Sequence, residues 1–352
     1  MRKQNKKAAI FTVYSNNNYG NKLQNYAVTH CLNKWGYDAE TIAVSGKKQR
    51  AFNGIKSLSV KLLRPLVAKK RISMVRTYNI ERFSKKYIPI RTIGNCKRVD
   101  TDSFKNRYDI FVTGSDQVWN PQFFGSVENG KNMLLMFAPP EKRYCFSPSI
   151  SVKEIPEKWE PMFKEAWDGY PQINVREESS VEIIKAISGK AAKVTIDPTL
   201  MLNREEWLEI STPVNSLPKE YVFEYFLGKR PVNNSDYLEI TSKETVVNVL
   251  DPSNKEVYTS APDKFIYMID KCKLMCTDSF HGCVFSIILG KPFAVFKRES
   301  QYKDMFSRIE TLLGMFGIDA NEAVGKVIQV DSQVRDRVLG AKREELSSMF
   351  LS

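Results

Sequence analysis

His281 is one of only two histidines in the 352-residue chain. Its surroundings, "CTDSFHGCVFSIILGKPFAVFKR" from Cys276 to Arg298, read as strand, tight turn, apolar helix, glycine stop and strand. The histidine falls where the turn becomes the helix. The first turn of a helix has free N–H groups, and its dipole favours negative charge. Ser279, His281 and Gly282 would thus frame a site for a phosphate or a carboxylate. Without a ligand the dipole should hold the imidazole pKa down, and an incoming anion should raise it, which suits a phosphate ligand and general acid. The competing reading is a core histidine bound to a backbone carbonyl. Lys297 and Arg298 follow the next strand, where they either add to the anion site or solvate the surface.

Three further stretches set polar side chains beside apolar runs. "YDIFVTGSDQVWNP" ends a buried strand at Gly114 and then shows Asp116, Gln117, Trp119 and Asn120. Asp116 reads either as a helix cap or as a carboxylate at a strand's C-terminal end, placed to act as base for a hydroxyl. Trp119 would stack on a sugar ring or pack inward. "INVREESS" puts Arg176 at the end of an apolar strand, where it can fork onto a carboxylate or phosphate, or pair with Glu177, Glu178 or a neighbour. "SNNNYGNKLQNY" offers Asn17, Asn18, Tyr19 and Asn21 to substrate hydroxyls or to its own turn. His30, in the middle of a helical pattern, reads as structural.

The elements that must carry these loops alternate. "KKAAIFTVY", "AETIAV", "YDIFVTGS" and "RYCFSPSIS" read as strands, and "KLQNYAVTHCLNKWGY" as a helix stopped by Gly36. After "NREEWLEISTPVNSLPKE" the pattern restarts with "EYVFEYFLG" and "TVVNVL", then a helix with proline in its first turn, "APDKFIYMIDKC". The C-terminal "RDRVLGAKREELSSMF" reads as an exposed helix. Such alternation predicts parallel sheets with right-handed crossovers. The fold class is α/β: two doubly wound Rossmann-like domains, 1–205 and 206–352, facing a cleft. Ligands in such sheets bind outside the C-terminal strand ends, which is where the four loops fall. The chain has no internal repeat, Walker A motif or dinucleotide-binding glycine fingerprint.

Composition narrows the partners. The net charge is +13, and no acidic residue occurs from Thr41 to Ile80. That span is rich in lysine and arginine with apolar residues at roughly helical spacing, so it reads as a surface for an anionic membrane or as a solvated helix face. It has almost no aromatics to stack on bases, and no nucleic-acid partner is expected. The six scattered cysteines and two histidines suggest no metal site, only buried reduced thiols. No apolar run reaches the ~18 residues of a membrane span, and the N-terminus reads as a strand entering a polar loop. The protein is expected in the cytoplasm, held at the inner face of the cell membrane where the basic span binds.

Taken in order, "NYGNKLQNYAV", "YDIFVTGSDQVWNP", "VREESSVEII…IDPTLML" and "TDSFHGCVFSIILGKPF" resemble the polysaccharide pyruvyl transferase family over about Ile10 to Arg298. The resemblance implies a fold similar to the GT-B glycosyltransferases and a donor, phosphoenolpyruvate, whose pyruvyl unit closes a cyclic ketal on two sugar hydroxyls. It carries a donor-binding and acid role onto His281, a clamp on the donor onto Arg176, and a base role onto Asp116. It implies no cofactor beyond that donor, and an acceptor built on a lipid carrier for cell-surface polysaccharide. Two departures stand out. Ser279 occupies a position where some members have arginine, leaving Lys297 or Arg298 to compensate, and "CFSPSIS" is less typical than a strand of small residues. A nucleotide-sugar glycosyltransferase and a non-catalytic module of polysaccharide assembly are the alternatives.

Overall fold

The computed structural model describes residues 6–14, 18–44, 68–94, 96–298 and 306–351. By contacts the chain divides into two units. The first gathers the described residues of Met1–Leu66, Ser84–Met201 and Glu345–Ser352, and the second those of Val67–Phe83 and Leu202–Glu344. The sequence reading drew one boundary, at 205/206. The structure has the chain change units four times, and at two of those changes one helix contributes its two ends to different units.

The first unit holds β1 (Lys6–Phe11), α1 (Tyr19–Lys34), β2 (Tyr37–Val44), the end of α2 (Ala68–Tyr87), β3 (Ile90–Ile93), β4 (Ile110–Thr113) and β5 (Arg143–Cys145). It continues through α3 (Glu160–Asp168), β6 (Asn174–Val175), α4 (Glu178–Ser188) and β7 (Lys193–Val194). The main sheet has the order β3-β2-β1-β4-β5, and every pairing in it is parallel. The runs "AAIF" and "IFVT" are buried throughout, as a sheet covered on both faces requires. Strand order reverses between β1 and β4, the position where doubly wound sheets open a crevice. A Cβ on Gly114 would come within 2.9 Å of Thr12 Cβ, so glycine is what lets the two strand ends approach.

The predicted strand "RYCFSPSIS" stops at Cys145. Ser147 and Ser151 take left-handed backbone conformations, with φ of 53° and 52°, and Pro148 lacks the N–H that a sheet ladder needs. The backbone amides of Ile150 and Ser151 turn to the Glu177 carboxylate, at 3.0 and 3.2 Å.

The second unit holds β8 (Val222–Tyr225), α5 (Ser235–Thr241), β9 (Val246–Asn248), α6 (Pro262–Lys271), β10 (Leu274–Thr277) and α7 (Phe280–Leu289). β11 (Phe293–Val295), α8 (Ser307–Gly314), β12 (Val327–Ile328) and α9 (Ser332–Leu351) follow. Its sheet runs β12-β11-β10-β8-β9, parallel except for β12. Here the order reverses between β8 and β10. Gly290, at φ 67°, ends α7 in the left-handed conformation, as its position after the apolar run predicts. Two Rossmann-like α/β units in series are thus the architecture the alternating pattern called for.

One expectation about α9 is overturned. Leu339, Leu346 and Phe350 are buried, and Phe350 stacks within the first unit on Trp35 and Tyr144, with ring centroids 5.1 and 5.4 Å apart.

Candidate functional site

In the first unit, the loops after β1, β4, β5, β6 and β7 converge on a buried cluster of charge. Asp116 has φ 65°, in the left-handed region where a non-glycine residue is held only by its surroundings. Its carbonyl accepts from the amides of Val118 at 2.8 Å and Ser149 at 2.9 Å. Its carboxylate receives Asn21 Nδ2 at 3.2 Å and lies 3.7 Å from Arg176 Nη2. Arg176 donates from Nη1 to Asp197 Oδ2 at 2.6 Å, and its Nε is 3.9 Å from Glu177 Oε2. Asp197 Oδ1 accepts from Thr199 N and Oγ1, at 2.9 and 2.6 Å. Glu177 Oε1 accepts from Ser149 Oγ at 2.8 Å and Ser180 Oγ at 2.7 Å, besides the two amides already named. Burial works against the Arg176 charge. The carboxylates of Asp197, Asp116 and Glu177 outweigh it and hold the guanidinium pKa above its ordinary value.

Exposure separates the members of this cluster. The side chains of Arg176, Asp197 and Glu177 are 0–1% exposed, and that of Asp116 is 14%. Asp116 is therefore the carboxylate that reaches solvent, and the others hold it. The left-handed conformations of Asp116, Ser147 and Ser151 fall in two loops of this site, those after β4 and β5. Strain of that kind, roughly 1–3 kcal/mol per residue, persists where the surrounding bonds impose it.

In the second unit, Asp278 ties together the strand ends at the β8/β10 switch point. Its carboxylate accepts from the amides of Leu227 and Gly228, each at 2.7 Å, and from Arg298 Nε at 2.8 Å and Nη2 at 3.2 Å. The next residue, Ser279, caps α7 with φ −100° and ψ 128° and makes no side-chain cap bond. Its amide donates to Thr277 Oγ1 at 3.0 Å. His281 sits in the first turn, 6% exposed, its ring edge-on to Phe280 at 5.2 Å. Arg308 of α8, 5% exposed, lies over the Phe280 ring at 5.8 Å. No motif had singled out Arg308, since it comes from a helix outside the strand–turn–helix pattern.

Several expected ligand-binding side chains are spent inside the fold. Arg176 is held by three carboxylates of its own unit, so it orients Asp116 and is not a free clamp for a donor. Trp119 is fully buried against Trp167 and Tyr170, at 6.0 and 5.8 Å, and presents no face to a sugar. Asn120 caps the turn at Pro121 through Gln122 N at 3.0 Å, and its Nδ2 donates to Gln117, which is half-buried. Asn18 caps α1 by accepting from Asn21 N at 3.3 Å. Tyr19 and Asn21 are fully buried, Asn21 being bonded to Val13 O and Asp116. Asn17 lies outside the described residues. Gly282 packs rather than binds, because a Cβ there would meet Thr277 Oγ1 at 2.4 Å. Arg298 forks onto Asp278, and Lys297 donates to Asn321 Oδ1 at 2.6 Å. His281, Ser279 and Asp116 keep the positions the sequence assigned them, each at the C-terminal end of a strand beside a switch point.

Sequence reasoning offered Glu177 as an ion-pair partner of Arg176, which the structure bears out at 3.9 Å, and passed over Asp197 as the carboxylate that holds Arg176 most closely. Asp197 stands in a stretch already noticed, "IDPTL", but its partner Arg176 is 21 residues away in sequence. Five cysteines, Cys31, Cys145, Cys272, Cys276 and Cys283, are buried thiols outside any disulfide. Burial pushes the Cys272 thiol up to about 12 and raises Cys145, Cys276 and Cys283 as well. Among the described residues no group of acidic, histidine and cysteine side chains is arranged to hold a metal ion.

The model of the polysaccharide pyruvyl transferase family matches residues 18–300. The chain belongs to that family. The match covers both charge clusters, from the Asn18 cap through Arg298. No curated protein matches the chain. Among solved structures it is similar to a putative UDP-N-acetylglucosamine 2-epimerase from Listeria monocytogenes, at 12% identity, TM-score 0.43, 97% of this chain and 91% of the other. It is also similar to Anabaena Alr3699/HepE, solved with UDP and glucose, at 10% identity, TM-score 0.44, 97% and 99%. A third is an alpha-glucosyltransferase solved with UDP and a DNA 13-mer, at 9% identity, TM-score 0.45, 97% and 94%.

Proposed function

We propose that this pyruvyl transferase family member moves the pyruvyl group of phosphoenolpyruvate onto two hydroxyls of a saccharide, closing a cyclic ketal. A proton adds to C3 of the enol, and one acceptor oxygen bonds to C2. The C2–O bond to phosphate then breaks, the second hydroxyl oxygen takes its place, and inorganic phosphate leaves. Of the two hydroxyl protons, one balances the proton gained by C3 and the other leaves with phosphate.

His281 serves as donor ligand and acid, helped by the N–H groups opening α7. Arg308, stacked beside Phe280, supplies positive charge in place of the arginine absent at Ser279. Asp116 serves as the base for the acceptor. The observation that carries the assignment is the state of Asp116: a left-handed, partly exposed carboxylate, backed by a buried arginine and two buried acids, in a chain of this family. The acceptor is a lipid-linked saccharide of cell-surface polysaccharide, met at the cytoplasmic face of the membrane. No described helix is long and apolar enough to cross a bilayer.

Purified protein offered phosphoenolpyruvate and a panel of galactosides, mannosides and N-acetylhexosaminides should release phosphate and add one pyruvyl ketal to an acceptor, detected by mass. His281→Ala should abolish both. Thermal stabilisation by a nucleoside diphosphate and none by phosphoenolpyruvate would overturn the proposal.

A further inference from the structure

Helix α2 has two unlike faces. Arg76, Ile80 and Phe83 are buried. Arg76 donates from Nη1 to Tyr258 O at 2.6 Å and Val249 O at 3.1 Å, and its guanidinium lies over the Tyr258 ring at 5.1 Å. Asn79 Nδ2 donates to Thr259 O at 2.8 Å. These bonds fix the helix's rotation on the second unit. At 100° per residue, Arg71, Val75, Tyr78 and Arg82 then fall on the opposite side, within an arc of about 60°. All four are exposed, Val75 by 43% and Tyr78 by 61%.

That stripe is not the mixed-sign surface of an ordinary solvated helix. Two guanidinium groups flank an aliphatic and an aromatic side chain, and Glu81, the one acid of α2, stands at its margin. We infer that this face docks on an anionic lipid surface. Arg71 and Arg82 would bind headgroup phosphates, with Tyr78 and Val75 entering at headgroup level. Charge complementarity favours this occupant, since the chain carries +13 overall. A single-stranded nucleic acid needs a row of aromatics to stack on, and the stripe has one. The surface does not depend on the transfer reaction, because binding is read without turnover.

The test is sedimentation of the whole protein with vesicles of phosphatidylcholine alone or mixed with phosphatidylglycerol. Binding is expected only to the mixed vesicles, weakening as salt rises. The pair Arg71→Gln/Arg82→Gln should lower the partition coefficient at least tenfold, from about fivefold per basic side chain. Val75→Ser/Tyr78→Ser should lower it too, and should steepen the salt dependence. All four positions are exposed, so unchanged circular dichroism confirms that the variants fold. The inference fails if both pairs bind as the parent does, if neutral vesicles bind equally well, if the parent does not bind at low salt, or if a single-stranded oligonucleotide displaces it from vesicles.

Discussion

Arg176 meets three carboxylates within 4 Å, and one cation cannot neutralise three anions. The remainder is met by dipoles: Thr199 N on Asp197, and Ile150 N and Ser151 N on Glu177. Removing the cation would leave those carboxylates buried with dipoles alone. Arg176→Met should therefore cost about 3–5 kcal/mol of stability. Arg176→Met/Asp197→Asn should recover part of that loss, because the second change removes the anion that lost its closest partner. Denaturant melts of the parent, the single variants and the double variant measure the coupling, and strictly additive losses would contradict the network. Asp116→Asn behaves differently. Asparagine tolerates the left-handed conformation and keeps the shape, so the fold should hold while phosphate release falls by roughly 10²–10⁴-fold. The sequence could locate Asp116 and Arg176 at strand ends. It could not show that they belong to one cluster, since Asp116 and Arg176 lie sixty residues apart and periodicity says nothing about loop side chains.

At the scale of elements, the turn from β10 into α7 depends on close approach. Thr277 Oγ1 is held by Tyr225 O at 2.7 Å and by Ser279 N, and Gly282 sits against it. Gly282→Ala would gain the helix propensity of alanine, up to about 1 kcal/mol, yet its Cβ would lie 2.4 Å from an oxygen that cannot move freely. Overpacking should win, with a net loss of about 1–3 kcal/mol and slower turnover as His281 shifts with the helix. A variant as stable and active as the parent would show that the turn yields more easily than its bonds suggest. This element was legible beforehand, because an apolar run and a terminal glycine announce a buried helix and its stop. The segment after Cys145 was not. "FSPSIS" has the alternation of a strand, but acceptors supplied from other segments, Asn174 Oδ1, the Asp116 carbonyl and the Glu177 carboxylate, turn its amides aside. Trp119 misled for a related reason: a tryptophan in a polar loop can face either way, and the partners that decide it, Trp167 and Tyr170, are remote in sequence.

Across the whole molecule, alternation of strands and helices predicted two α/β units but not which unit takes each end of a long helix. Hydrophobic spacing reports that a face is buried and is silent on the surface it meets. The buried thiols are a simple check on both cores. Cys145, Cys272, Cys276 and Cys283 have pKa values raised by burial, so a thiol reagent at pH 8 should leave them unmodified until the protein is denatured. The return of the chain to the first unit is the sharper matter. Glu345–Ser352 belongs there, and Phe350, 5% exposed, fills a gap among Trp35, Tyr144 and Phe146. Lys193 Nζ adds a 2.5 Å ion pair to Glu345, at the surface and hence of small value. Phe350→Ala should open a cavity and cost about 3–5 kcal/mol. The loss should be confined to the unit that contains the cavity. Amide exchange would therefore quicken in β1, β2 and α1 while β8, β10 and α7 keep their protection. Equal quickening in both units would mean that they unfold together, and no change in either would mean that α9 ends without contributing to the core it touches.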